Sequence, residues 1–457
     1  MNLDKYTYYH FLGIGGIGMS AIARYLNAMK KIVSGYDRQR TDLCKALESE
    51  GMEISYADNA ESIPDTFKEK EKVLIIYTPA IPKDSFQLNY FQNNGYTLFK
   101  RSHILGLITE DSFNISVAGT HGKTTTSALI SHLLHFAGHP FGAFLGGIST
   151  NLESNYFNSN IPGSKTVTVT EADEFDRSFL TLSPNLAIVT SMDADHLDIY
   201  GNAEQIKAAF FDFMSKIESG GILFIKEGLE HPKLENIHIK TYGIEKGDFK
   251  AVKVRIEEGL FTFDLQTNTE SWLGLQLGIP GTHNIENAIA AIAVCLEMGI
   301  PKHLITSGLT AFKGVKRRFE YICRTPNLVF IDDYAHHPEE LSAFIKSVKL
   351  LYPNQKITGV FQPHLYSRTR DFAVEFASSL SLLDVCVLLD IYPARELPLE
   401  GVTSSLILKN ITSNESYLTT KEDLPHLLTQ LNPKILLTMG AGDIDALIPK
   451  LTKALNL

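Results

Sequence analysis

The chain has 457 residues, 44% of them apolar, which is enough material for about three domains of ordinary size. Its net charge of −10 argues against a general affinity for nucleic acid or for anionic membranes. Cys44, Cys295, Cys323 and Cys386 lie far apart in sequence, so neither a disulfide framework nor a zinc-thiolate site is indicated, and we expect reduced thiols. Since no signal-peptide pattern or membrane-length apolar run is found, we expect a cytoplasmic protein.

A glycine-rich turn follows the first predicted strand. Gly13 to Gly18 fits GxGxxG after the strand ending at Leu12, and Asp37 ends the next strand, where a dinucleotide fold places its ribose-binding acid. A segment ending near residue 108 is too short for two full mononucleotide halves, which weakens the NAD interpretation. A uridine or adenosine diphosphate conjugate would use the same backbone N–H groups, and Thr78, at another strand end, would meet it.

A second glycine-rich segment, Ala-Gly-Thr-His-Gly-Lys-Thr at positions 118–124, joins a predicted buried strand, Phe113 to Ala118, to a helix that begins at Lys123. A helix N-terminus offers free N–H groups to a polyphosphate, Lys123 neutralises its charge, and the Thr124 hydroxyl can hold Mg²⁺. Val117 stands where the full P-loop pattern has its first glycine. The helix is expected to bury one apolar face, formed by Leu129, Leu133, Leu134 and Ala137.

Acidic side chains end the two predicted strands that follow. Four carboxylates lie between Glu171 and Asp176, and the stretch from Asp193 to Asp198 adds the imidazole of His196. Any one of these acids alone is typical of a solvated loop. Mg²⁺ prefers oxygen ligands and is shared with phosphates, so two acidic strand ends beside a phosphate-binding loop together favour a metal site.

Several polar groups in the C-terminal part are candidates for substrate contacts. His336 and His337 lack the third histidine of a metal site, so we interpret them as substrate contacts. The clusters Lys316–Arg318 and Arg368–Arg370 lie at turns or strand ends, where guanidinium groups suit phosphates and carboxylates, although surface charge is the usual explanation. Asn284 and Asn287 open an alanine-rich helix and can read a base or order a loop.

Alternating strand and helix patterns predict an α/β protein of three domains. A small doubly wound domain spans residues 1–108, a P-loop unit with a mostly parallel sheet spans 109–320, and a third α/β layer structure spans 321–457. The strands predicted in the third domain are Asn327 to Ile331, Lys356 to Phe361, Asp384 to Leu389 and Lys434 to Met439.

Seven motifs, in this order, resemble those of the Mur ligases of peptidoglycan synthesis. They are Gly-Ile-Gly-Gly-Ile-Gly-Met-Ser, Ala-Gly-Thr-His-Gly-Lys-Thr-Thr-Thr, Glu-Ala-Asp-Glu, Asp-His-Leu-Asp-Ile-Tyr, Arg-Arg-Phe-Glu, Asp-Asp-Tyr-Ala-His-His-Pro and Phe-Gln-Pro-His. The resemblance implies a Rossmann-like N-terminal domain for a UDP-sugar and a central P-loop ATPase domain. It also implies a Rossmann-like C-terminal domain that closes over ATP and the amino acid.

The resemblance also implies roles for individual residues. The ATP contacts would be Gly119, Thr120, His121, Gly122, Lys123, Thr124, Thr125, Asn287, Arg318 and Asp333. The UDP-sugar contacts would be Gly15, Gly16, Ile17, Gly18, Asp37 and Thr78. The amino-acid contacts would be His336 and Arg368. The Mg²⁺ ligands would be Thr124, Glu171 and His196, and the catalytic residues Lys123, Glu171, His196 and Arg318.

The activity implied is ATP-dependent ligation of L-alanine to the lactyl carboxylate of UDP-N-acetylmuramate through an acyl phosphate, by a monomer or homodimer that uses ATP and Mg²⁺. A recycling ligase that attaches a tripeptide to the same sugar is the nearest alternative. A dehydrogenase would leave the Gly-Lys-Thr loop unexplained, and a non-catalytic ATP-switched binding protein would form no covalent product.

Two positions depart from the family pattern. Phe210 stands where several sister ligases carry a carbamoylated lysine, so we expect no lysine carbamate. Leu365 stands where some members have an arginine, which removes one expected substrate contact but leaves Arg368 available.

Overall fold

The computed structural model describes residues 3–160, 166–193, 197–394, 396–413 and 415–456. The chain divides into two compact units. The first comprises Met1–Lys253, Asp264–Leu275 and Glu286–Phe312, and the second Val254–Phe263, Gln276–Ile285 and Lys313–Leu457. Among the helices in these described ranges, none has both the length and the apolar character needed to cross a membrane.

The first sheet is parallel, with the strand order β3-β2-β1-β4-β5. Its strands are β1 (Tyr8–Leu12), β2 (Ile32–Tyr36), β3 (Glu53–Ser55), β4 (Val73–Tyr77) and β5 (Thr97–Lys100). Its helices are α1 (Ile17–Ala28), α2 (Asp42–Ser49), α3 (Phe86–Asn93) and α4 (Arg101–Thr109). The order reverses between β1 and β4, and ligands of such sheets bind at the carboxyl ends of the strands beside this reversal.

A buried polar network crosses this first sheet. His10 is fully buried, and its Nδ1 lies 2.7 Å from Ser34 Oγ and its Nε2 2.9 Å from Gln87 Oε1. The Gln87 amide donates to Ser62 Oγ at 3.0 Å. Because a buried polar group without a partner is costly, this network fixes β1, β2 and α3 in one arrangement.

The second sheet has ten strands in the order β15-β14-β13-β12-β11-β10-β6-β9-β7-β8. They are β6 (Phe113–Ala118), β7 (Gly142–Ser149), β8 (Ser154–Asn158), β9 (Val167–Ala172), β10 (Leu186–Val189), β11 (Ile222–Lys226), β12 (His238–Ile244), β13 (Phe249–Glu257), β14 (Leu260–Gln266) and β15 (Ser271–Leu277). Its helices are α5 (Lys123–Phe136), α6 (Leu197–Tyr200), α7 (Ala203–Met214), α8 (Thr282–Glu297) and α9 (Lys302–Ala311). In this spatial order, each neighbouring pair of strands from β13 to β7 is parallel. The edge strand β8 is antiparallel to β7.

Helix α5 differs from the sequence-based expectation of a single apolar face. The polar residues Thr126, Ser127 and Ser131 are buried as completely as the leucines, while Ala137 is half-buried. The helix packs against β6, β7 and β9 of the sheet and also against α9, so it has no solvent-facing side along most of its length. The buried Ser131 hydroxyl is satisfied because it donates a hydrogen bond to the Ser127 carbonyl at 2.8 Å.

The third sheet lies in the second unit and has the order β16-β17-β21-β18-β19-β20. Its strands are β16 (Glu320–Arg324), β17 (Val329–Asp333), β18 (Ile357–Phe361), β19 (Val385–Leu388), β20 (Glu415–Leu418) and β21 (Ile435–Met439). Its helices are α10 (Pro338–Leu351), α11 (Tyr366–Asp371), α12 (Ala373–Leu380), α13 (Ser405–Leu408), α14 (Leu424–Leu431) and α15 (Ile448–Ala454). Phe330 and Ile331 of β17 contribute to separate cores on the two faces, as period-two alternation requires.

Candidate active site

The loop between β6 and α5 has the backbone of a phosphate cradle. Gly119 and Gly122 adopt φ values of +141° and +82°, which L side chains rarely adopt. A Cβ atom at Gly122 would also lie 2.6 Å from Asn287 Oδ1, so the predicted ATP contact Asn287 lies directly beside this loop. Helix α5 begins at Lys123 and directs its free N–H groups toward the loop.

The loop is fixed to the end of β10 by side chains just beyond that strand. Thr120 Oγ1 lies 2.8 Å from Ser191 Oγ, and the same serine oxygen accepts from the His121 N–H at 2.8 Å. The Thr190 hydroxyl lies within hydrogen-bond distance of the carbonyls of both Ala118 and His121 and can donate its one hydrogen to either. Neither Thr190 nor Ser191 was predicted from the sequence, because a threonine–serine pair carries no pattern of its own. The predicted ATP contact Thr125 is buried in the first turn of α5.

Lys123 already has a complete set of partners. Its Nζ donates to the Gly119 carbonyl at 2.6 Å and lies 2.7 Å from Glu174 Oε2. The exposed fractions of the two side chains are 13% for Lys123 and 2% for Glu174. Burial opposes the charged form, but the carboxylates of Glu174, Asp173 and Glu171 outweigh it and raise the pKa of Lys123. The lysine therefore carries its positive charge at the point where polyphosphate would enter.

The predicted metal ligands Thr124 and Glu171 lie together beside the cradle. The Thr124 hydroxyl donates to Glu171 Oε1 at 3.0 Å, and the N–H of Gly146 on β7 donates to Oε2 at 3.0 Å. A hydroxyl and a carboxylate next to a phosphate cradle are the oxygen donors that Mg²⁺ requires, so these residues fit the ion. The third predicted ligand, His196, lies outside the described residues. Gly146 was missed because a glycine in a strand shows no partner in the sequence.

The predicted UDP-sugar contacts converge at the carboxyl ends of β1, β2 and β4. The Gly15 N–H donates to Asp37 Oδ2 at 2.8 Å, so the acid orders the glycine turn. Thr78 follows β4, and its methyl group would lie 2.7 Å from a Cβ atom at Gly13. Gly16 and Ile17 begin α1, while Gly18 lies against the guanidinium of Arg101. Thus the turn is tightly packed and lies at the reversal of strand order, where such sheets bind ligands.

In the second unit, the structure separates the roles of the two adjacent arginines. Arg317 donates to the Gly440 carbonyl at 2.6 Å and lies 3.5 Å from the buried carboxylate of Asp332, whose pKa burial raises to about 7. Arg317 is therefore a structural anchor. The guanidinium of Arg318, 30% exposed, lies 3.7 Å from Glu340 and 5.2 Å from the Tyr334 ring centroid. Of the two, Arg318 is the more accessible to a ligand.

The other predicted contacts of this unit occupy the carboxyl ends of β17 and β18. Burial raises the pKa of Asp333 to about 6, opposed by Arg318 and by N–H donors from Phe319 and Ala335, each at 2.7 Å. His336 lies 3.2 Å from Glu340. Arg368 is buried on α11, which follows the β18 strand end.

The two departures from the family pattern have clear places in the structure. Phe210 is fully buried on α7, with its ring centroid 5.3 Å from that of Phe179, so this position belongs to the hydrophobic core. Leu365 immediately precedes α11 with φ of +72°, a strained backbone value for a non-glycine residue. The four cysteines are free thiols, with Cys44, Cys295 and Cys386 buried.

Comparison with known proteins supports this arrangement along nearly the whole chain. Family models described as "Mur ligase family, catalytic domain", "Mur ligase middle domain" and "Mur ligase, glutamate ligase domain" match residues 8–112, 117–295 and 317–442. A UDP-N-acetylmuramate–L-alanine ligase of Christiangramia forsetii is 48% identical over 99% of both chains.

Solved structures agree with this result. A UDP-N-acetylmuramate-alanine ligase of Thermotoga maritima is 29% identical, has a TM-score of 0.83 and covers 98% of each chain. A murein peptide ligase of Psychrobacter arcticus has a TM-score of 0.71 with the same coverage of both chains, but at 22% identity it shows the fold alone. The three-domain α/β fold expected from the sequence is confirmed, while the boundaries at residues 108 and 320 stay predictions. The chain belongs to the Mur ligase family.

Proposed function

We propose that this chain joins L-alanine to the lactyl carboxylate of UDP-N-acetylmuramate, with ATP converted to ADP and phosphate, in the synthesis of peptidoglycan precursors. The observation that carries the proposal is the cluster of Lys123, Thr124 and Glu171 at the cradle, in a chain 48% identical to an alanine-adding relative. Phosphoryl transfer requires a positive charge at the phosphates and oxygen ligands for Mg²⁺, and this loop has a charged lysine and two such oxygen donors.

The reaction would proceed in two steps. The sugar carboxylate attacks the γ-phosphorus of ATP, the bond to the β–γ bridging oxygen breaks, and ADP leaves. Lys123 offsets the charge that spreads over the transferred group, and the family resemblance implies the same role for Arg318. The neutral amine of L-alanine then attacks the acyl carbon. The tetrahedral species expels phosphate, and the nitrogen loses one proton to the departing phosphate or to solvent, which leaves the amide.

Mg²⁺ fits the oxygen donors of Thr124 and Glu171, and when bound it would neutralise charge on the ATP phosphates. We propose that Glu171→Gln raises the Mg²⁺ concentration required for half-maximal activity, because the variant keeps the side-chain shape but loses the charge. His196→Ala is expected to act in the same direction. Unchanged Mg²⁺ dependence in both variants would show that these side chains do not bind the ion.

The glycine turn after β1 is proposed to hold the UDP diphosphate. The first turn of α1, which begins at Ile17, directs helix N-terminal N–H groups toward this end of the sheet. The N–H groups of Gly15 and Gly16 donate to Asp37 and to the Gly13 carbonyl, and so fix the turn itself. The parallel sheet has only two strands, β4 and β5, beyond the reversal, so it lacks a full second half for a nicotinamide nucleotide. Calorimetry should therefore show binding of UDP-N-acetylmuramate and weaker or no binding of NAD.

A product assay separates the remaining alternatives. ATP hydrolysis should require both UDP-N-acetylmuramate and L-alanine, and mass spectrometry should find the sugar nucleotide extended by one alanine. Extension by a whole tripeptide would instead identify the recycling reaction. Equal hydrolysis of ATP without either acceptor, or the absence of any covalent product, would overturn the ligase proposal. Since both substrates are cytoplasmic precursors in this proposal, we place the enzyme in the cytoplasm.

A further inference from the structure

Asn155 on β8 has a buried side-chain amide that makes hydrogen bonds to three residues of helix α1. Its exposed fraction is 0%. Its Nδ2 donates to the Ile17 carbonyl at 2.6 Å and to Ser20 Oγ at 2.9 Å, and its Oδ1 accepts from Arg24. The Ile17 carbonyl also accepts from Ser20 Oγ at 2.9 Å, and Arg24 also pairs with Glu50, so Asn155 joins groups that are already connected to one another. Because its own amide is fully buried, its hydrogen bonds to α1 are the ones that satisfy it.

The helix held in this way carries the turn proposed to bind the UDP diphosphate. Ile17 is the first residue of α1, directly after Gly16. Further along the helix, the Tyr25 ring centroid lies 5.6 Å from that of Phe144 on β7 and 6.1 Å from that of Tyr156 on β8. Helix α1 therefore packs on the β7–β8 hairpin through the Tyr25 ring and through the hydrogen bonds of Asn155.

The same hairpin also touches the metal-binding carboxylate. Gly146 on β7 donates its N–H to Glu171, which in turn accepts from Thr124 in the first turn of α5. The hairpin closes at the pair Ser149 and Ser154, one residue before Asn155. The β7–β8 hairpin thus contacts both the start of α1, through Asn155, and the Glu171 carboxylate beside the phosphate cradle, through Gly146.

We propose that Asn155 is a positioning residue for the ligase reaction. By fixing the first turn of α1 on the hairpin, it sets the distance between the bound UDP-sugar and the phosphate cradle, so that the lactyl carboxylate meets the γ-phosphate in line. This inference rests on the proposed function. Phosphoryl transfer is sensitive to such placement, because a displacement of about 1 Å can reduce the rate roughly 100-fold.

The test compares Asn155→Leu with the matched variant Asn151→Leu. Asn151 lies between β7 and β8 and donates to the Ala311 carbonyl, so the control loses an amide hydrogen bond that does not involve α1. We expect Asn155→Leu to lower kcat with UDP-N-acetylmuramate about 100-fold. The Kd values for UDP and for ADP, measured separately by calorimetry, should change less than about threefold, because each subsite keeps its own geometry. Asn151→Leu should keep kcat within about threefold.

A second variant, Asn155→Asp, controls for misfolding. Its carboxylate keeps the acceptor for Arg24 but places an oxygen against the Ile17 carbonyl, so the hairpin stays paired to α1 while the first turn is displaced. We expect the same loss of kcat with a melting temperature closer to wild type. Wild-type kcat in either folded variant would overturn the inference, and so would a parallel loss of ADP binding. Failure of both variants to fold would make Asn155 an ordinary core residue.

Activity of the wild-type protein distinguishes a failure of the proposed ligase function from a failure of the positioning role of Asn155. If it forms no product from UDP-N-acetylmuramate, ATP and L-alanine, the proposed function fails. If the wild type is active and the Asn155 variants are equally active, only the positioning role fails.

Discussion

Lys123 Nζ lies 2.7 Å from Glu174 Oε2, so the charge that would meet the ATP phosphates is already paired inside the protein. Nucleotide must therefore share or replace this carboxylate when it binds. The pair is nearly fully buried, and breaking a buried pair leaves one charge without compensation.

Glu174→Gln tests this pairing. Without nucleotide, the variant should lose about 3 kcal/mol of stability, because Lys123 keeps its charge but loses its carboxylate partner. ADP should raise the melting temperature of the variant by more than that of the wild type, since the phosphates then compensate a charge that has no competitor. Differential scanning fluorimetry with and without ADP measures both effects.

Asp176→Asn is the matched control for Glu174→Gln. Asp176 pairs with Lys100 at 3.0 Å, and both side chains are about one-third or more exposed, so little stability should be lost. An equal ADP-induced shift in wild type and Glu174→Gln would contradict a competition between Glu174 and the phosphates.

Gly146→Ala should displace the Glu171 carboxylate without altering any ligand atom. A Cβ atom at Gly146 would lie only 2.5 Å from Glu171 Cδ. Residues that orient a metal ligand commonly change metal affinity by 10-fold or more, so we expect the Mg²⁺ concentration for half-maximal activity to rise about 10-fold. A Mg²⁺ titration of ATP turnover measures the change. Gly142→Ala, on the same strand, should have little effect, because its nearest neighbour is the side-chain amide of Asn160 at 3.3 Å.

Arg368→Ala should lower kcat/KM for L-alanine, because a guanidinium is the group best suited to bind the α-carboxylate. We expect a loss of about 2 to 4 kcal/mol in transition-state stabilisation, with a smaller change in ATP affinity. Steady-state kinetics with each substrate varied in turn provides the comparison. Arg370→Ala is the control, since Arg370 is 56% exposed and paired with Asp371. Loss of ATP binding with an unchanged KM for alanine would assign Arg368 to the nucleotide instead.

Because His10 is buried, we expect the folded protein to lose stability as the pH falls. Burial lowers the pKa of His10 to about 4 in the folded protein, opposed by the Gln87 hydrogen bond, whereas the unfolded chain has the ordinary histidine pKa of about 6.5. The unfolded state therefore binds the extra proton first. Stability is fully present above pH 6.5 and falls as the pH drops toward 4, by roughly 3 kcal/mol in total.

Urea unfolding of the wild type and of His10→Gln between pH 7.5 and 4.5 tests whether the free energy of unfolding decreases with falling pH. The variant keeps an amide near Ser34 and Gln87 but does not titrate, so its stability should fall less steeply over this interval. His231→Gln removes an exposed histidine and should follow the wild-type curve. Parallel curves for wild type and His10→Gln would show that another group controls the acid response.

The parts of the fold and site that follow from local sequence were predictable. The strand Phe113–Ala118 was predicted with the bounds that the structure shows, because an apolar run followed by glycines and Gly-Lys-Thr specifies strand, loop and helix together. Strands of the third sheet, such as Val329–Asp333 and Ile435–Met439, were predicted to within two residues from their apolar runs.

The parts that depend on distant partners could not be predicted. The segment Gly142–Ser149 contains glycines that locally favour a turn, yet it forms a strand because β9 and β8 pair with it. Glu174 is one of four acids in a short stretch, and no local pattern shows which of them is buried against Lys123. Burial of α5 on all sides likewise results from α9, nearly two hundred residues later in the chain.

The hairpin β7–β8 also has a consequence for folding. Strands β6 and β9 are neighbours in the sheet, but α5 and the hairpin separate them along the chain. Pairing β6 with β9 must close this long intervening segment, and such non-local contacts form slowly. Glu171, near the end of β9, reaches Thr124 only when that pairing is complete. Nucleotide-dependent protection from hydrogen exchange should therefore appear late during refolding, after the amides of α5 are protected.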